Sequence, residues 1–100
     1  MDHEGFVKDA MRMMRRDAEG REDRNITEML FDEFLLNAAR DGMLEKLKAA
    51  REKGRGGWWN QDECSVGYLK ELLCEHLAKG DMRDVMNLAA MIHVRTIADA

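Results

Sequence analysis

Apolar residues recur three and four positions apart along almost the whole of this chain, and no proline interrupts them. That rhythm puts one stripe of side chains on one face of an α-helix, whereas a half-buried strand needs alternation at every second residue. Ala, Leu, Glu, Lys, Arg and Met dominate the composition, and these residues lose little rotamer freedom in a helix. The fold class is therefore all-α: a small helical bundle of about four helices, the C-terminal pair forming a tight helical hairpin. A chain of 100 residues reads as one domain, 1–100. At this length only about two-thirds of the unfolded surface is buried on folding, so the core is modest and a homo-oligomer is expected.

Within residues 1–24, Phe6, Val7, Ala10, Met11, Met13 and Met14 predict a helix from Phe6 to about Ala18, closed by the polar run GREDRN. Asn25 or Thr27 suits the cap of a second helix. Its apolar residues Ile26, Leu30, Phe31, Phe34, Leu35 and Ala38 form a wide stripe that must pack on something. Asp41-Gly42 offers a place to pause, and Met43, Leu44, Leu47 and Ala50 resume the rhythm. Residues 25–53 are thus one long helix or two separated by a kink. Glycines at 54, 56 and 57 open a loop over 54–64. In the hairpin over 65–100, Ser65 is the N-cap of a third helix and Gly80 its left-handed C-terminal residue. Asp81 caps a fourth helix, which carries Val85, Leu88, Met91 and Ile92 on one face.

On a wheel of about 100° per residue, Val66, Leu69, Leu73 and Leu77 share one face of the third helix, with Leu72 and His76 at its edge and Glu71 and Glu75 pointing away. The fourth helix centres Leu88 and Ile92 and puts Asp81, Asp84 and Arg95 on the same side. Two inward acids beside His76 fit a carboxylate site for a divalent cation or a polar ligand. They fit capping better. An N-cap acid accepts backbone N–H bonds, an acid in the first turn is favoured by the helix dipole, and each such feature is worth about 1 kcal/mol without a ligand. His76 is read as a satisfied core or interface histidine.

Trp58 and Trp59 follow the glycines in a polar loop. Adjacent loop side chains rarely bury on the same side, so one ring is expected to anchor the loop and the other to stay accessible as a rigid binding anchor. Lys46, Lys48, Arg51, Lys53 and Arg55 make the preceding segment basic. Beside a tryptophan they suit a phosphate or an acidic partner face, and otherwise form a solvated helix face. Nine methionines supply adaptable packing or a malleable contact surface.

A formal charge of −4 argues against dominant nucleic-acid binding. No apolar run reaches the roughly 20 residues that span a bilayer, and the start MDHEGFVKD lacks the features of a signal peptide. No membrane association and a cytoplasmic location are expected. Cys64 and Cys74 form no Cys-x-x-Cys pair, so both are read as free thiols, without a structural zinc site. Neither has a base at helical spacing, and Ser65 is better used as a cap. No residue constellation amounts to a reaction mechanism, so no catalytic residue is assigned.

The segments MLEKLKAAREKGRGGWW, CSVGYLKELLCEHLAKGD and DVMNLAAMI resemble the C-terminal module of small bacteriophage-encoded proteins, some described as MazG-like dATP/dGTP pyrophosphohydrolases. The resemblance covers roughly the last sixty residues. MazG-like enzymes are helical, commonly oligomeric, and bind Mg²⁺ through Glu-Glu-x-x-Glu on one helix and Glu-x-x-Asp on the next. By that resemblance Asp81 and Asp84 stand in for the second motif. The first is missing, since Glu71 and Glu75 are four apart and turned from the apolar face.

Two function classes follow. In the first, a phage-type accessory protein without a cofactor binds a host protein in the host cytoplasm through Trp58, Trp59, Arg51 and Arg55. An anti-CRISPR-like block of a host defence is one such role, and inhibition of a host enzyme another. In the alternative, a Mg²⁺-dependent nucleoside triphosphate pyrophosphohydrolase gathers Asp81, Asp84, Glu75 and Glu71 around its metal. Protein binding is the preferred reading.

Overall fold

The computed structural model describes residues 2–100. It is all-helical, with four helices: α1 (His3–Glu19), α2 (Arg24–Glu52), α3 (Val66–Lys79) and α4 (Met82–Ala98). No strand occurs among the described residues. By contacts the chain forms two compact units, Met1–Gly42 and Met43–Ala100.

In the first unit, α1 starts earlier than its apolar rhythm predicts because Asp2 caps it, accepting a hydrogen bond from the Gly5 N–H at 2.7 Å. The cap of α2 is Asp23, not Asn25 or Thr27. Its carboxylate accepts from the N–H groups of Asn25 and Ile26 at 2.9 and 3.2 Å. Thr27 is instead buried, and its hydroxyl donates to the Asp23 carbonyl at 3.2 Å. Helix α2 is continuous through Asp41-Gly42, which settles the choice between one helix and two. The boundary between the units nevertheless falls just after that step, between Gly42 and Met43. The Phe6 and Phe34 rings meet with centroids 6.2 Å apart. The predicted packing of the α2 stripe is incomplete: Phe31, Phe34 and Ala38 are half-buried, whereas Ile26, Leu30 and Leu35 are exposed.

The second unit is built on the α3/α4 hairpin, whose helices pack closely. Ser65 Oγ accepts from the Tyr68 N–H at 3.0 Å, and Gly80 sits at φ 85° with its N–H directed to the His76 and Leu77 carbonyls. Asp81 caps α4, accepting from the Arg83 N–H at 3.1 Å. Leu69 and Leu88 are the buried apolar side chains. The inner face of α3 runs through Leu69, Leu72, Leu73 and His76, while Leu77, expected on that face, is 57 % exposed. The face is rotated towards His76 and leaves Leu77 on the outer flank.

The last turns of α2 also belong to this unit. The Asn87 side chain, buried on α4, donates through Nδ2 to the Met43 carbonyl at 3.1 Å. Lys46 pairs with Asp81 at 2.8 Å, and Arg83 with Glu45 at 3.5 Å. These polar links tie the end of α2 to α4, where a few apolar side chains alone supply a small core.

Candidate functional site

The glycine and tryptophan loop leaves α2 through a left-handed turn. Gly54 has φ 77°, its N–H donates to the Arg51 carbonyl at 3.0 Å, and the Arg55 N–H donates to the Ala50 carbonyl at 2.9 Å. This pair of bonds is a Schellman closure, which satisfies carbonyls that the helix end leaves free. Gly57, at φ 81°, turns the chain again and lies against the Glu63 side chain. Asn60 then organises the far side of the loop. Its N–H donates to the Gly57 carbonyl, its carbonyl accepts from Glu63 and Cys64, and its side-chain oxygen accepts from the Asp62 N–H at 2.9 Å.

The loop is fastened to α4 by Arg95, which is 2 % exposed. Its Nη1 donates to the Trp58 carbonyl at 2.6 Å and to the Cys64 carbonyl at 2.8 Å. Nη2 donates to Gln61 Oε1, and Nε meets Asp99 Oδ2 at 3.0 Å. A buried guanidinium is costly unless its charge is paired and its N–H groups are satisfied. Here Asp99 supplies the charge and three loop oxygens accept the remaining bonds. The planar donor fork holds both ends of the Trp58–Cys64 segment in a way a lysine could not.

The two tryptophans are treated differently. Trp58, whose carbonyl is held by Arg95, is half-buried, whereas Trp59 is 66 % exposed. Arg51 and Arg55, on either side of the Gly54 turn, are exposed as well. The arrangement is an accessible indole on a loop that its own turns and one buried cation hold in place, next in sequence to exposed cations. Such a group can cover an apolar surface on another protein with little ordering cost.

The four carboxylates of the alternative reading are not gathered. Asp81 and Asp84 do converge, on Lys46, whose ammonium lies 2.8 Å from Asp81 and 3.6 Å from Asp84. Glu71 and Glu75 are exposed on the outer side of α3. Among the described residues no group of three His, Cys, Asp or Glu side chains is placed to hold a metal ion. The hydrogen bond from Lys46 holds the Asp81 carboxyl below its ordinary value of 3.8, and its partner Lys46 is correspondingly raised above 10.5. A protonated lysine between two carboxylates supplies the positive charge that a cation would bring. His76 lies with Nδ1 3.4 Å from Asp84 but without hydrogen-bond geometry, so that nitrogen is buried and unpaired. The histidine is half-buried, and within this chain its Nδ1 is not satisfied as a core histidine's would be.

Asp81 thus both caps α4 and pairs with Lys46, while Asp84 faces Lys46 and His76. The residue that sequence reasoning missed is Arg95. Its one signal was a cation falling on the apolar side of α4, and nothing in the sequence says which carbonyls it reaches. Cys64 and Cys74 are free, as expected.

No protein-family model matches the chain, and no curated protein or solved structure is found to be similar to it.

Proposed function

We propose that this protein acts by binding another protein, with Trp59 as the anchor of the contact and Trp58 as the support of the loop that presents it. The observation that carries the reading is the contrast within one dipeptide: an indole 66 % exposed beside a neighbour whose carbonyl is clamped by a buried arginine. Large aromatics left in water on an ordered loop are enriched among the residues that dominate interfaces. Arg51 and Arg55 add positive charge that favours an acidic rim on the partner. If the chain is phage-encoded, as its resemblance to small phage proteins implies, the partner is a host protein met in the host cytoplasm, and blocking a host defence or a host enzyme is the role that fits. No helix among the described residues is long and apolar enough to cross a membrane.

The test is affinity capture with the wild-type chain and with Trp59→Ala. The substitution removes an exposed ring, so helix content and unfolding midpoint should be unchanged while partner capture is lost. Capture retained by a folded Trp59→Ala protein rejects the assignment of the site.

A further inference from the structure

We infer that Asp99 is the positioning residue of the Trp59 contact: it orients the buried cation on which the loop hangs, and so sets from the last turn of α4 how firmly the indole is presented. The inference rests on the reading of Trp59 as a binding anchor and concerns how that anchor is held. Among the described residues the Asp99 carboxylate pairs only with Arg95.

Asp99 is joined to Arg95 twice. Its N–H donates to the Arg95 carbonyl at 2.9 Å, which closes the helix, and its Oδ2 accepts from Arg95 Nε at 3.0 Å. The helix end and the guanidinium therefore share one geometry. The two partners are unequally buried, with the Arg95 side chain 3 % exposed and the Asp99 side chain 49 % exposed. The acceptors that Arg95 finds in the loop are all neutral: the Trp58 and Cys64 carbonyls and Gln61 Oε1. Asp99 is thus the one carboxylate paired with this cation. Because a guanidinium is a rigid planar fork, holding Nε also aims Nη1 and Nη2 at the two ends of the Trp58–Cys64 segment. Without Asp99, neutral acceptors alone must hold a buried charge, whose desolvation they offset only in part. The loop carries acids of its own, Asp62 and Glu63, both exposed. A guanidinium released from Asp99 is drawn towards these and away from the carbonyls that keep the loop in shape.

The experiment is amide hydrogen exchange of the full chain, read at Asn60 and Cys64, whose N–H groups donate to the Gly57 and Asn60 carbonyls within the loop. Beside it runs the affinity of each variant for a protein that the wild type retains from a bacterial lysate. Asp99→Ala should speed exchange at both amides by roughly tenfold, the order expected when an ion pair with one buried member is lost. Capture should weaken by a smaller factor, roughly twofold to threefold, since binding loses only the molecules whose loop is out of place. Asp99→Asn keeps an acceptor without the charge and should fall between, and Asp99→Glu should restore most of both readings. Thr96→Ala removes another side chain of the last turn, one bonded within α4, and should change neither. In an Arg95→Ala background Asp99→Ala should add nothing, because the residue acts through the guanidinium. If Arg95→Ala does not fold, the Asn and Glu variants at 99 carry the test. Unchanged exchange in Asp99→Ala overturns the inference, and so does an effect that adds in full to that of Arg95→Ala. Faster exchange with capture undiminished overturns it as well. Exchange that follows the series supports the positioning role without any partner, and a wild type that captures nothing then counts against the binding reading and not against Asp99.

Discussion

The guanidinium of Arg95, near the end of α4, donates a 2.6 Å hydrogen bond to the main-chain carbonyl of Trp58. Thirty-seven residues separate the two. The bond makes the conformation of a glycine-rich loop depend on the last helix, and so makes the presentation of Trp59 a property of the folded second unit.

Replacing Arg95 by Ala should therefore do more than remove a contact. It leaves the Trp58 and Cys64 carbonyls without a donor inside the structure, at about 1–3 kcal/mol for each group left buried. A loss of roughly 3 kcal/mol in urea unfolding is expected, with a red shift of tryptophan emission as Trp58 becomes wetter. Arg95→Lys should recover only part of this, because one ammonium cannot span the same acceptors. Unchanged stability and emission in Arg95→Ala would mean that the loop holds its form without the clamp.

The glycines of the loop should not be equivalent. Gly57 has φ 81°, so Gly57→Ala brings a left-handed strain of about 1–2 kcal/mol, and its new β-carbon would also push aside the carboxylate end of Glu63. Gly56 has open space around it and no left-handed backbone requirement. Gly56→Ala should be neutral or stabilise by about 0.4–1 kcal/mol through the unfolded chain. Thermal unfolding of the two variants side by side checks the order, and equal effects would contradict the loop geometry.

The Lys46–Asp81 pair sets a pH window. The Asp81 carboxyl is depressed in the fold, so its contribution is complete above 3.8 and is lost as pH falls through the lower folded value. Lys46 is raised, so its contribution is complete below 10.5 and is lost as pH rises through the higher folded value. Stability from the pair should be flat between these limits and decline outside them. Lys46→Met should lower the plateau modestly, remove the decline at the alkaline end and reduce that at the acid end, where backbone N–H groups of Arg83 and Asp84 still favour the Asp81 carboxylate. A wild-type and Lys46→Met pair of profiles that run parallel would deny the coupling.

Asn87 offers a test of the link between α2 and α4. Its Nδ2 donates to the Met43 carbonyl, and its Oδ1 is buried without a partner. Asn87→Asp replaces a donor by a charge facing a carbonyl, with an expected cost of several kcal/mol or a carboxyl that stays protonated at neutral pH. Asn87→Leu removes the unpaired oxygen together with the bond and should cost less. The reverse order in chemical denaturation would contradict the assignment of the amide.

How much of this was legible in the sequence depended on the range of the interaction. Ser65, Gly80 and Asp81 act within one helical turn, and the boundaries of the C-terminal hairpin could be read directly from them. Asp23 caps α2 from inside a run of charges, beside Asn25 and Thr27 that are also good capping types, so residue type alone does not single it out. The wheel placed Glu71 and Glu75 on the outside but misjudged Leu77, since rotation of α3 against α4 is fixed by tertiary packing and not by periodicity. The clamp on Trp58 and the pairing of Lys46 with Asp81 span tens of residues, and no local pattern encodes either register.

The most direct test of the account is quantitative capture of proteins from a bacterial lysate by the wild-type chain and by Trp59→Ala, with Tyr68→Ala as an exposed aromatic control on α3. Loss of a central anchor costs about 2 kcal/mol or more in binding, roughly 30-fold in affinity. The account predicts that a specific partner retained by the wild type and by Tyr68→Ala disappears with Trp59→Ala, all three proteins remaining equally helical. A partner held equally well by all three would contradict it.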